Sequence, residues 1–213
     1  MHEGQADAPF AAVLCHPHPL GGGTMDNNVV YRAMKAVNDP QWGLGWPVLR
    51  FNFRGVGLSH GVYNGHAEAE DVLTALAWVA DECGRPPVLI GFSFGAAMAV
   101  AACSKPSPLR APLRALAMLG LPLEIPAGFG EENSFPQQPG DSSYPFLRQC
   151  SVPKLFLSGA SDAFAPSSRL EQVAASAAEP RRLVLLPHAD HFFTGQLEAM
   201  QSALAGWLKE TLL

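Results

Sequence analysis

Short apolar runs, flanked by turn residues, alternate along this chain with longer segments of helical period. The runs are Phe10–Cys15, Val48–Phe53, Pro87–Ile90, Ala115–Leu119, Lys154–Leu157 and Arg182–Leu186. Most are apolar on successive residues rather than on alternate ones, which is the pattern of parallel strands covered on both faces. Between them the spacing predicts helices over Asn27–Val37, Glu68–Cys83, Phe94–Ser104, Ser167–Ala177 and Thr194–Leu212. In the last of these Leu197, Met200, Leu204, Trp207 and Leu208 form one core-facing stripe. The order of elements therefore predicts an α/β fold with a mostly parallel sheet of about six strands and helices on both faces.

One segment breaks the alternation. Leu121–Gln149 carries Pro122, Pro126, Pro136, Pro139 and Pro145 with Gly128, Gly130 and Gly140, too many breakers for a regular helix and too long for an ordinary connection. It is expected to form a lid-like excursion within a single domain spanning residues 1–213, since neither a repeat nor a linker divides the chain.

Composition narrows the function. At 213 residues, 48% hydrophobic and 15% charged, the chain can bury a full core and is too apolar for intrinsic disorder. A formal charge of −5 and no basic run longer than Arg181-Arg182 argue against nucleic acid as a partner. No apolar stretch approaches the roughly 20 residues of a membrane-spanning helix, and residues 1–9 lack the features of a secretory signal, so no membrane partner and a cytoplasmic location are expected. Cys15, Cys83, Cys103 and Cys150 make no Cys-x-x-Cys pair and read as buried free thiols.

Chemistry enters after the third strand, at Gly91-Phe92-Ser93-Phe94-Gly95. G-x-S-x-G between a buried strand and an Ala-rich helix is the setting of a serine nucleophile on a tight turn, with helix N–H groups at hand for a developing anion. A serine needs a base, and the base an orienting acid. Asp162 follows the strand Lys154–Leu157, and His191 follows the strand Arg182–Leu186, both at the carboxyl edge where catalytic groups gather in a parallel sheet. Asp141 and Asp190 compete for the acid and His188 for the base, but Asp141 sits in the excursion, Asp190 adjoins His191, and His188 directly follows the strand-ending Pro187.

The first strand runs into His16-Pro17-His18-Pro19-Leu20-Gly21-Gly22-Gly23-Thr24. This loop reads as the second half of an oxyanion hole, and since Pro17 and Pro19 carry no N–H, His18 or Leu20 must join Phe94 as donor. It lacks the spacing of a phosphate-binding loop, and the His residues lack further ligands, so neither a metal nor a cofactor is expected. Leu20, Phe92, Phe164 and Phe192 flank these positions and are candidate substrate contacts.

The run from His16 to Asn27, then Arg50-Phe-Asn-Phe-Arg-Gly-Val-Gly-Leu-Ser59, then Gly91–Gly95, resembles the α/β hydrolase superfamily, in its small dienelactone-hydrolase-like and carboxylesterase branch. The resemblance implies a triad of Ser93, Asp162 and His191, with His18 sharing the oxyanion hole with Phe94. It implies a structural role for the Arg54–Ser59 turn. It also implies two further strands at the start of the fold, for which nine residues are too few. The sheet edge at Val48–Phe53 is then expected to be covered by the N-terminal residues or by a second subunit in a homodimer. The expected activity is hydrolysis of carboxylic esters, small molecules with short acyl chains, through an acyl-enzyme. A thioesterase, lactone hydrolase or peptidase would use the same residues, and a binding or scaffold protein on a hydrolase fold is the non-enzymatic alternative.

Overall fold

A computed structural model describes residues 1–42, 44–106, 111–126 and 144–213. Among these residues six strands, β1 (Ala11–Cys15), β2 (Val48–Arg50), β3 (Pro87–Phe92), β4 (Ala115–Leu119), β5 (Lys154–Gly159) and β6 (Arg181–Leu186), form one sheet in the order β2-β1-β3-β4-β5-β6. All neighbours pair in parallel, as the continuous apolar runs predict. The helices among the described residues are α1 (Asn28–Asn38), α2 (Glu68–Cys83), α3 (Phe94–Cys103), α4 (Ser167–Ser176) and α5 (Leu197–Leu212).

Strand residues alternate between two cores. Ala12, Leu14, Val88, Ile90, Ala117 and Leu157 pack under α1 and α5, while Val13, Leu89, Leu116, Met118 and Phe156 pack under α2, α3 and α4. The chain leaves β1 toward β2 on one side and returns to β3 on the other. The crevice at the carboxyl ends of β1 and β3 is thus the topological switch point, where doubly wound sheets bind ligands.

β2 is shorter than its apolar run because the residues after Arg50 turn to other partners. The Phe53 N–H donates to His16 Nε2 at 3.0 Å, and Asn52 Oδ1 accepts the Met25 N–H at 2.8 Å. At the outer edge of β2, His2 pairs antiparallel with Val48 through bonds of 2.8 and 3.0 Å, and Arg50 Nε donates to the His2 ring at 3.2 Å. The N-terminal residues therefore cover the start of that edge.

The described ends of the Pro/Gly-rich excursion are tied to the body. Leu121, Leu123 and Leu147 are buried, and the Tyr144 hydroxyl donates to the Pro122 carbonyl at 2.7 Å. Residues 127–143 lie outside the described residues, and the expected lid falls on them. All four cysteines are free, with Cys15 and Cys150 buried. Among the described residues no helix is long and apolar enough to cross a membrane.

Candidate active site

β3 ends at Phe92, α3 begins at Phe94, and the single residue between them carries the turn. Ser93 has φ 55° and ψ −120°, a left-handed backbone that a non-glycine residue adopts only when its surroundings enforce it. They do so from both sides: the Ser93 N–H donates to the Leu119 carbonyl at 2.9 Å, and its carbonyl accepts from Ala96 at 2.8 Å and Ala97 at 3.1 Å. The glycine after the turn is needed for close approach. A Cβ on Gly95 would lie 2.4 Å from the Cys15 carbonyl oxygen and 2.6 Å from that of His16, so any side chain would push the β1 loop away from the serine.

Opposite this turn, the loops after β5 and β6 bring in the other two side chains. His191 Nε2 lies 2.8 Å from Ser93 Oγ, and His191 Nδ1 lies 3.0 and 2.9 Å from the two carboxylate oxygens of Asp162. With Nδ1–H donating to the carboxylate, Nε2 is the acceptor for the serine hydroxyl proton. All three residues are buried. Asp162 also accepts from Ser158 Oγ–H at 2.7 Å and from the N–H groups of Phe164 at 2.8 Å and Ala165 at 3.1 Å. Burial pushes its carboxyl up, but the His191 ring, the Ser158 hydroxyl and the Phe164 N–H outweigh burial and hold it below the ordinary carboxylate value. The two loops touch through backbone: a Cβ on Gly159 would lie 2.2 Å from the Ala189 carbonyl oxygen.

The competing residues stand elsewhere. Asp190 shapes its own loop, accepting the N–H groups of Phe192 at 3.0 Å and Thr194 at 2.9 Å. His188 is exposed on a left-handed turn with φ 60°. Asp141 lies outside the described residues. Of the four candidate substrate contacts, Phe92 and Phe164 are buried with ring centroids 5.3 and 4.2 Å from that of His191, whereas Phe192 is 47% and Leu20 73% exposed.

The loop after β1 is fastened by a residue whose role the sequence did not show. His16 is fully buried, with Nδ1–H donating to the Pro17 carbonyl at 2.7 Å and Nε2 accepting from Phe53 at 3.0 Å. Burial drives its pKa down to about 4, so the ring is neutral. Beyond it, the Gly21 and Gly23 N–H groups fold back onto the His18 carbonyl at 3.1 and 2.9 Å. His18 Nε2 meets the Tyr63 hydroxyl at 2.7 Å, and its ring stands edge-on to Phe94, with centroids 5.2 Å apart. The His18 ring is thereby held against Phe94, the first residue of α3.

Two more features were not legible. Ser158, a strand-end serine, resembles any turn residue until its bond to Asp162 is seen. Glu68 is fully buried, with one carboxylate oxygen accepting the Asn64 N–H at 3.0 Å and the other without a partner among the described residues. In the Arg54–Ser59 turn, Arg54 Nη2 donates to Asp71 at 2.6 Å and the Ser59 hydroxyl to the Asn52 carbonyl at 2.7 Å. Among the described residues no group of three or more His, Cys, Asp and Glu side chains is gathered as a metal would require.

A parallel sheet with this order of elements, and a serine on a strained strand-to-helix turn bonded to histidine, define an α/β hydrolase of the serine class. The chain belongs to the serine hydrolase (FSH1) family, whose profile matches residues 57–202. An uncharacterized protein of Rickettsia prowazekii is 30% identical over 210 residues, which span 95% of this chain and 79% of that one. Among solved structures, an α/β serine hydrolase homologue from Coxiella burnetii is 31% identical with a TM-score of 0.75, over 96% of this chain and 86% of that one. An α/β serine hydrolase without a lid from Xanthomonas campestris is 26% identical, also with a TM-score of 0.75, over 98% and 86%.

Proposed function

We propose that this serine hydrolase cleaves carboxylic esters of short acyl chains, with Ser93 as nucleophile, His191 as general base and acid, and Asp162 as its orienting partner. The observation that carries the reading is the unbroken line of hydrogen bonds from Asp162 through His191 to Ser93, between 2.8 and 3.0 Å throughout.

In the first half-reaction Ser93 Oγ attacks the ester carbonyl carbon while its proton passes to His191 Nε2. The imidazolium so formed is held by the Asp162 carboxylate. The carbonyl oxygen, now an anion, is received by the Phe94 N–H at the start of α3 and by the N–H of His18 or Leu20. Collapse of the tetrahedral intermediate breaks the bond to the alkoxy oxygen, which leaves as the alcohol with the proton from His191. Water then gives its proton to His191, attacks the acyl-enzyme, and releases the carboxylic acid as Ser93 recovers its proton. No cofactor takes part. Phe192, exposed with its ring 5.2 Å from that of His191, offers apolar surface suited to a few methylenes, and Leu20, exposed in the loop after β1, is a further candidate contact.

A panel of p-nitrophenyl esters from acetate to palmitate, with a lactone and a thioester beside it, tests the assignment. Turnover should be greatest from acetate to hexanoate. Higher activity on the thioester or the lactone would move the leaving group to that class, and turnover of none of them would favour a binding or scaffold role.

A further inference from the structure

We infer that Phe164 is a positioning residue of this reaction, its ring face stabilising the imidazolium that His191 becomes while it holds the Ser93 proton; this rests on the triad reading above. In the sequence Phe164 reads as a pocket-lining aromatic. In the structure it is 7% exposed, and its ring lies on the imidazole with centroids 4.2 Å apart and planes inclined by 31°. Phe92 and Phe192 stand farther off, at 5.3 and 5.2 Å, the latter edge-on.

The backbone of Phe164, from which the ring projects, is held on both sides. Its N–H donates to Asp162 Oδ1 at 2.8 Å, and its carbonyl accepts the N–H groups of Leu123 at 2.7 Å and Glu124 at 3.0 Å. The main chain that carries the ring therefore cannot shift without disturbing the carboxylate that orients the imidazole. A cation over an aromatic face within about 6 Å of its centroid is attracted by the ring quadrupole, more strongly where water is excluded. A neutral imidazole feels little of this. The attraction therefore grows as the proton arrives, which makes it specific to the transition state.

Among the described residues the ionisable groups around the ring are few. Asp162 faces Nδ1 and Ser93 faces Nε2. Asp190, in the same loop as His191, feels its charge but is committed to the Phe192 and Thr194 N–H groups. Glu124, on the segment bound to the Phe164 carbonyl, is paired with Arg169 at 2.6 Å. Among the described residues Asp162 supplies the carboxylate in contact with the imidazole, at its Nδ1 edge, so a change at the ring face can be read apart from it.

Phe164→Leu keeps apolar bulk and removes the π face, and a trifluorinated phenylalanine at position 164 keeps the shape and weakens the quadrupole. With p-nitrophenyl acetate, kcat should fall about three- to tenfold in Phe164→Leu, with KM unchanged, and the acid limb of kcat/KM should move about half to one pH unit lower. The fluorinated protein should move the same way by less. NMR titration of the His191 ring should show the same downward displacement in the resting protein. A merely structural ring would lower the plateau without moving the limb, and admitting water would move it upward; either result in both substituted proteins overturns the inference. Because the titration needs no turnover, a wild-type protein that cleaves no ester would refute the esterase reading and leave the test of the ring intact.

Discussion

His16 makes the stability of this fold fall in mildly acidic solution. Its ring is fully buried and neutral, with both nitrogens occupied, and its folded pKa of about 4 lies below the ordinary 6.5 that it regains on unfolding. Between these values the unfolded chain binds a proton that the folded chain refuses, so the contribution is present above about 6.5 and is lost as pH falls toward about 4. The size follows from the gap: at 1.36 kcal/mol per unit, roughly 2 kcal/mol is gone by about pH 5. Asp162, held below its ordinary 3.8, also favours the folded state at neutral pH, but its contribution is lost only at lower pH still. His16→Gln removes the titration while offering an amide to the Pro17 carbonyl and a carbonyl to the Phe53 N–H. Urea unfolding followed by tryptophan fluorescence at pH 7 and pH 5 should show wild type losing roughly 2 kcal/mol more than His16→Gln across that interval. Equal losses in the two proteins would show that the His16 ring is not held neutral and would refute the reasoning.

Ser93→Ala and His191→Ala should each lower esterase turnover by about 10⁴-fold or more, while His188→Ala stays near wild type; comparable damage from His188→Ala would reassign the base. Gly159→Ala places a Cβ against the Ala189 carbonyl, so kcat for p-nitrophenyl acetate should drop sharply as the Asp162 and His191 loops are forced apart; near-normal kcat would show that these loops move freely. Ser158→Ala removes a buried bond of 2.7 Å and should cost about 1 kcal/mol in urea titrations, with a several-fold loss of kcat. Activity should survive EDTA, and a loss that zinc restores would transfer the chemistry to a metal.

Much of this was legible because a doubly wound sheet writes itself as continuous apolar runs, and because G-x-S-x-G announces its own strand-turn-helix setting. Glu68–Cys83 and Ala115–Leu119 were placed to the residue. What the sequence withheld were contacts between segments distant in the chain. Val48–Phe53 reads as one strand, yet only Val48–Arg50 joins the ladder, since Phe53 is claimed by a histidine 37 residues earlier. The last helix starts at Leu197 rather than Thr194 because the Asp190 carboxylate binds the Phe192 and Thr194 N–H groups, and Phe193 and Gly195 are left-handed. His16 looks in sequence like a metal ligand or nothing, because its value lies in two backbone partners that no local pattern encodes. The order Ser, Asp, His was readable, but the bond from Ser158 that supports the acid needed coordinates.

Covalent capture at Ser93 tests the central claim most directly. The protein is treated with a fluorophosphonate, its intact mass is measured, and the modified peptide is mapped by tandem mass spectrometry, with ester turnover followed in parallel. The account predicts one adduct per chain, on Ser93, formed as turnover is lost and absent from Ser93→Ala. Ester turnover that persists with Ser93 unlabelled, or a stoichiometric adduct on another residue that abolishes it, would contradict the account.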